Sequence, residues 1–291
     1  TLGEIVYLEN VGKPKSVPAF QARTLDTRHG AIHVPICDLN RDGKPDFVAL
    51  ISQEHEAVVA FLNEGGGRFR SETIFQGPHP SFGVSGIQMV DFDRDGDLDV
   101  LLSNGDVLDT SNLRGEHGVH LLENPGGYPF RHTLLTRLYG ASRAMAGDLD
   151  GDGDNDIVAS SFLPGKSFAA VRETYDLDGL IVLEQTAPGK FSRHSLERKT
   201  CRHTSFDLGD VDGDGDLDLV VGNFDLDQIA QEYPAIPPEA RSDLELGRIW
   251  WNTSPGQAGL RGKVGMGMGT GGAVARPGEN AERRRLARTS K

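Results

Sequence analysis

At 291 residues the chain is long enough for one large domain or two small ones, and its 37% hydrophobic content suits a soluble protein. A formal net charge of −13 argues against a nucleic-acid binder, and no apolar run approaches transmembrane length. Two cysteines are too few for a disulfide scaffold. Cys37 and Cys201 either pair or, as residues of apolar strands, stay buried as thiols.

The chain opens at Thr1 without Met and without a signal peptide, which reads as a mature form or an excerpt. Gly3–Asn10 and Phe20–Leu25 then read as two strands. The first of four acidic loops follows, Asp38, Asn40, Asp42, Gly43, Lys44 and Asp46 within nine residues. The second carries Asp91, Asp93, Asp95, Gly96, Asp97 and Asp99. The third carries Asp148, Asp150, Asp152, Gly153, Asp154 and Asp156. The fourth carries Asp210, Asp212, Asp214, Gly215, Asp216 and Asp218. The loops begin at 38, 91, 148 and 210, a repeat of 53 to 62 residues, which points to a solenoid or a propeller.

Oxygens at positions 1, 3 and 5 of such a loop can converge on one hard cation. The position 7 carbonyl can join them, and position 9 can close the shell. Ca²⁺ takes roughly six to eight oxygens, and the glycine at position 6 permits the sharp turn. Without a cation the clustered carboxylates repel one another. An EF-hand needs a glutamate at position 12 and flanking helices. Position 12 here is Ala49, Leu102, Ala159 or Val221, inside the apolar runs Phe47–Leu50, Val100–Leu102, Ile157–Ala159 and Leu219–Val221. Those runs read as buried strands, so each loop joins two strands.

A second signature follows every loop: an apolar strand ending in Asn or Gln, a Gly-rich turn, and a strand opening with Phe. The first copy is Ala57–Asn63 with Phe69, the second Gly118–Asn124 with Phe130, the third Gly179–Gln185 with Phe191. It reads as a hairpin. The strands before the loops are Ala31–Cys37, Ser85–Val90, Ser142–Gly147 and Thr204–Gly209. Four antiparallel strands per repeat make one propeller blade. The expected blades are 26–75, 76–136, 137–197 and 198–254, after blade ends near 1–25. Arg248–Asn252 supplies a third strand to the last blade, and no clear fourth strand follows. Residues 255–291, Gly-rich and then basic, read as a disordered tail. Three insertions, Gly105–Glu116, Leu163–Asp178 and Phe224–Leu246, are either binding loops or tolerated surface.

The acidic loops with the Asn–Gly–Phe hairpin resemble the FG-GAP/VCBS repeats of integrin α-like propellers, over about residues 1–254. The resemblance implies a β-propeller, commonly seven-bladed, with Ca²⁺ between the first two strands of its blades, of which about four and a half are visible here. It also implies a secreted, periplasmic or cell-surface protein engaged in adhesion or ligand binding. The first loop departs from the pattern at Asn40 and Lys44. It is expected to bind Ca²⁺ most weakly, because affinity follows ligand charge.

Two functional classes follow. One is a non-catalytic recognition, adhesion or scaffold module with structural Ca²⁺ and a protein or carbohydrate ligand. The alternative is a propeller enzyme on carbohydrate, a polysaccharide lyase or sugar dehydratase. A lyase needs a base and a cation or Arg at the developing enolate. His33 and His203, with Arg143 in the register of His33, lie on or beside inner strands; His55, His117 and His120 surround third strands. His132 and His194 recur in equivalent hairpin positions and read as structural. Of Trp250 and Trp251, at most one can stack on a sugar, since adjacent strand residues point to opposite faces.

Overall fold

The computed structural model describes residues 3–108, 112–224, 247–252 and 260–264. The protein is all-β, its described strands forming antiparallel sheets, with one short α-helix among the described residues. Strands β1 (Ile5–Asn10) and β2 (Phe20–Asp26) form a two-stranded sheet. The first full sheet orders β3 (Ala31–His33) and β4 (Ile36–Cys37) beside β5 (Asp46–Ile51), then β6 (Ala57–Gly65) and β7 (Arg68–Gln76). The second runs β8 (Val84–Val90), β9 (Asp99–Asn104), β10 (Gly118–Glu123) and β11 (Arg131–Arg137). The third runs β12 (Ala141–Gly147), β13 (Asp156–Ser161), β14 (Asp178–Ala187) and β15 (Lys190–Arg198). The fourth runs β16 (His203–Gly209), β17 (Asp218–Asn223), β18 (Gly247–Asn252) and β19 (Leu260–Val264).

First strands of successive sheets lie side by side: β3 near β8, β8 near β12, β12 near β16. The order within each sheet is therefore inner to outer, as in a propeller. The second strands are buried along their whole length in β5, β9 and β13, because each sheet has a neighbour on both faces. Adjacent side chains sort to opposite seams, and side chains two apart share one. Val48 and Leu50 pack with Phe82, Val100 and Leu102 of the next sheet. Phe47, Ala49 and Ile51 turn the other way, toward Ile5. Leu101 joins Ile157, Ala159 and Ile181, and Val158 joins Leu219 and Val221. The pattern stops at Val220, which is 39% exposed where its register equivalents Val48, Leu101 and Val158 are fully buried. The far face of the fourth sheet is thus uncovered by any described residue.

Three expectations are corrected. The strand Ala31–Cys37 is two pieces, because Pro35 has no N–H for the ladder; its carbonyl still accepts from Val48 N at 3.0 Å. The fourth sheet does have its fourth strand, β19, beyond the expected boundary at 254. The insertion Leu163–Asp178 holds a helix, α1 (Lys166–Tyr175), which ends where Asp176 adopts φ 48°. Phe168 is buried against Leu163, Val107 and Cys201, and Arg172 donates to the Leu163 carbonyl. The expected insertion segment 225–246 and tail 265–291 lie outside the described residues, as do the side chains of Trp250 and Trp251. Cys37 and Cys201 are not bonded to one another, and burial pushes each thiol up to about 11.

Candidate metal centres

Each acidic loop joins a first strand to a second strand, so all four emerge at the same ends of their sheets. Their local folding follows from nested Asx turns. The side chain at position 3 accepts from the N–H at position 5: Asn40 from Asp42 at 3.0 Å, Asp93 from Asp95 at 3.1 Å, Asp150 from Asp152 at 3.1 Å, Asp212 from Asp214 at 3.2 Å. The side chain at position 5 accepts from position 7 in the same way, as Asp95 does from Asp97 at 2.8 Å. Position 1 accepts from the Gly at position 6: Asp38 from Gly43, Asp148 from Gly153, Asp210 from Gly215. The glycine itself sits at φ between 81° and 99° in all four copies, a region L side chains rarely enter.

Carboxylate oxygens gather in three of the loops. Asp91, Asp93 and Asp95 offer oxygens within 4.8 Å of one another, as do Asp148, Asp150 and Asp152, and Asp210, Asp212 and Asp218. Asp91 Oδ1, Asp154 Oδ1 and Asp216 Oδ1 are shut off from solvent with no hydrogen-bond donor. A shielded carboxylate oxygen without a donor is costly, and a cation supplies what is missing. Burial, reinforced by neighbouring carboxylates, lifts Asp150, Asp154 and Asp212, and lifts Asp216 to about 6. An all-oxygen set of this kind fits a hard cation such as Ca²⁺. The first loop differs. Lys44 Nζ lies 2.8 Å from Asp42 Oδ2, and this hydrogen bond holds the Asp42 carboxyl below its usual range. An internal ammonium competes there with any bound ion.

Position 9 has a task that spacing alone did not reveal. Asp46, Asp99 and Asp156 are buried, and both oxygens of each are engaged by backbone. Oδ2 accepts from the second residue of the loop: Leu39, Phe92 and Leu149, each at 3.0 Å, and Asp218 accepts likewise from Val211. Oδ1 accepts from a backbone N–H near the end of the third strand: Asn63 at 2.7 Å, Asn124 at 2.8 Å, Gln185 at 2.8 Å. Those three side chains reply. Their amides donate to the carbonyls of Pro45, Leu98 and Asn155 at loop position 8, and their carbonyls accept from the hairpin glycines Gly65, Gly126 and Gly189. The hairpin Asn or Gln is the partner of the loop. The loops also touch one another: Arg41 meets Asp97 at 2.8 Å, and Asn155 donates to the carbonyls of Asp91 and Phe92.

The histidines fall elsewhere. His203 is fully buried and pairs with Glu197 at 3.0 Å, so it does not face a channel. His33 is half-buried among inner strands; burial lowers its imidazole, aided by Arg143. His120 is buried between His132, at 2.8 Å, and Asn104 Oδ1, at 2.6 Å. Because Asn104 Oδ1 only accepts, His120 Nε2 carries the proton and Nδ1 accepts from His132. His194 pairs with Glu184 at 2.7 Å. At the end opposite the loops, a hollow of about 380 Å³ opens between the sheets. Ser85, Ser142 and Thr204 of the first strands line it with Val107 and Phe162, and Asp106 is the one carboxylate in its wall.

Radial antiparallel sheets with an acidic loop between first and second strands define a β-propeller-type module. Residues 38–102, the first two acidic loops with the strands between them, match the family described as FG-GAP-like repeat, and the chain carries such a repeat. No curated protein matches the chain. Among the described residues, no helix is long and apolar enough to cross a membrane.

Proposed function

We propose that the chain is a calcium-binding β-propeller module that works outside the cytoplasm as a recognition, adhesion or scaffold unit. Calcium is structural in this reading. The observation that carries it is the set of three-carboxylate groupings, with solvent-shielded oxygens that have no donor, at the same end of successive sheets. Each ion would neutralise its loop and fix the path between first and second strands. The four and a half visible blades belong to a larger ring, commonly of seven, whose next member covers Val220.

Recognition then falls to the end opposite the ions, where the hollow lies with Gly105, Asp106, Val107 and Leu108 in its wall. Its wall of hydroxyls and apolar groups suits a protein or carbohydrate ligand better than acid–base chemistry. The carbohydrate-lyase reading loses His203, whose ring is enclosed. The test is thermal unfolding after chelation, with calcium restored stepwise, alongside calorimetric stoichiometry. A Tm that climbs with calcium and saturates at three to four equivalents supports the reading by mass action. An unchanged Tm with no heat of binding refutes it.

A further inference from the structure

A second kind of metal-competent cluster lies far from the acidic loops. His29, Glu54 and His55 each offer one ligating atom, all within 4.8 Å of one another. His29 Nε2 is 3.8 Å from Glu54 Oε1, and His55 Nε2 is 3.9 Å from the same oxygen. The two rings meet edge to face at 5.1 Å. In a tetrahedral Zn²⁺ shell, with bonds of about 2.0–2.1 Å, ligand atoms sit roughly 3.3 Å apart. A closure of about half an ångström in each His–Glu pair, within the reach of side-chain torsions, brings Glu54 to that spacing from both rings.

Two segments hold the cluster in place. Glu54 and His55 belong to a single 3-10 turn, Gln53–His55, between β5 and β6. Gln53 and Glu56, before and after these two residues, both have positive φ, so the turn bends tightly. His29 precedes Gly30, whose carbonyl accepts from Ser52 N at 2.9 Å. A Cβ on Gly30 would come within 2.7 Å of the Ser52 carbonyl, so only glycine lets the His29 segment approach the turn this closely. Gln76 Nε2 donates to the His55 carbonyl and ties the turn to β7. No hydrogen bond engages either imidazole among the described residues. Arg28, next to His29 in the chain, is committed to Asp26 at 2.6 Å. The side chains of His29 and His55 are about a quarter exposed, and Glu54 is open to water.

We propose that His29, Glu54 and His55 form a site for Zn²⁺ or a similar transition-metal ion, distinct from the calcium loops. Two imidazoles and one carboxylate suit such an ion and not Ca²⁺, which prefers oxygens alone. β5 runs from its acidic loop at Asp46 to Ile51, so the cluster sits a strand's length, roughly 20 Å, from the calcium end. His29 comes from the connection out of the two-stranded sheet, and Glu54 and His55 come from the turn between β5 and β6 of the first full sheet. The ion therefore pins one sheet to the other and leaves a fourth position open to water or an outside carboxylate.

The experiment is a zinc titration of the whole chain saturated with Ca²⁺, so that the acidic loops are already filled. Calorimetry should show one zinc equivalent with Kd below about 100 μM. Co²⁺ in its place should give the intense visible absorption of a four-coordinate nitrogen–oxygen site. H29A and H55A should each lose that equivalent, E54Q should weaken it about tenfold, and H79A should keep it. Should either alanine variant fold poorly, diethylpyrocarbonate labelling of the unaltered chain decides the matter. Zinc protects His29 and His55 from modification if the site exists. Binding weaker than that limit, an equivalent that survives in both H29A and H55A, or absence of protection overturns the proposal.

Discussion

The carboxylate of Asp99 accepts a 2.8 Å hydrogen bond from the backbone N–H of Asn124, twenty-five residues further along. With its other oxygen it holds Phe92 N at 3.0 Å. One side chain thus joins an acidic loop to the hairpin that ends the third strand. The same clamp is built by Asp46 with Asn63 and by Asp156 with Gln185.

Replacing Asp99 with Ala leaves two buried donors unpaired, at about 1–3 kcal/mol each. Urea unfolding should show a loss of roughly 2–5 kcal/mol both with calcium and with chelator. Asp95→Ala should cost little in chelator and lower only the calcium-dependent gain. If Asp99→Ala is harmless in chelator, Asp99 is a ligand and no clamp.

The four loops should not fill together. Amide resonances of Gly96, Gly153 and Gly215 should saturate at lower calcium than that of Gly43, where Lys44 engages Asp42. Lys44→Asp should tighten the first site roughly tenfold, since affinity follows ligand charge. Simultaneous loss of all four signals on chelation would contradict this ordering.

Acid should destabilise the protein through its buried histidines. Burial lowers His117 to about 4 and His120 to about 3, against an ordinary value of 6.5. Between those values the unfolded chain binds protons that the folded chain refuses. Stability is therefore full above pH 6.5 and falls as pH drops toward 4. By pH 5 each group should cost on the order of 2 kcal/mol. Asp99 and Asp156, lifted by burial to about 6, act in the opposite sense below that pH when no cation is bound. The measurement is the urea midpoint at pH 7 and pH 5 in saturating calcium. His117→Asn should flatten the dependence, and an unaltered slope would count against this assignment.

Equivalent positions inside the sheet series and at its end should respond differently. Leu101 is fully buried in a seam between sheets, and its truncation to Ala should cost about 2–5 kcal/mol. Val220→Ala, at the same register but 39% exposed, should cost less than about 1 kcal/mol in this chain. An equal loss at both would mean that residues beyond those described already cover the fourth sheet.

The sequence by itself determined the features whose causes are local. A D-x-[DN]-x-D-G-x-x-D stretch folds its own turns, because side chains at positions 1, 3 and 5, as in Asp148, Asp150 and Asp152, accept from backbone N–H groups two to five residues away and glycine permits the positive φ. Apolar runs such as Val100–Leu102 read as strands because every second side chain meets one neighbouring sheet. Reading Ala31–Cys37 as one strand passes over the break at Pro35, although a missing N–H is a property of the residue. Helix α1 was not legible, because its place depends on Phe168 and Arg172 meeting Leu163 in the folded chain.

Tertiary structure alone decided the partners. Asp46, Asp99 and Asp156 look like any other loop carboxylate until pairing of the third strand brings Asn63, Asn124 and Gln185 within reach. His203 looked available for chemistry until burial enclosed it. His29 and His55 stand twenty-six residues apart, with nothing in their spacing to couple them. The pairing of β3 with β5, continued by the Ser52–Gly30 hydrogen bond, sets their rings side by side. Hydrogen bonding within nine residues is written in order along the chain, whereas contacts closed across a sheet depend on how every intervening strand pairs.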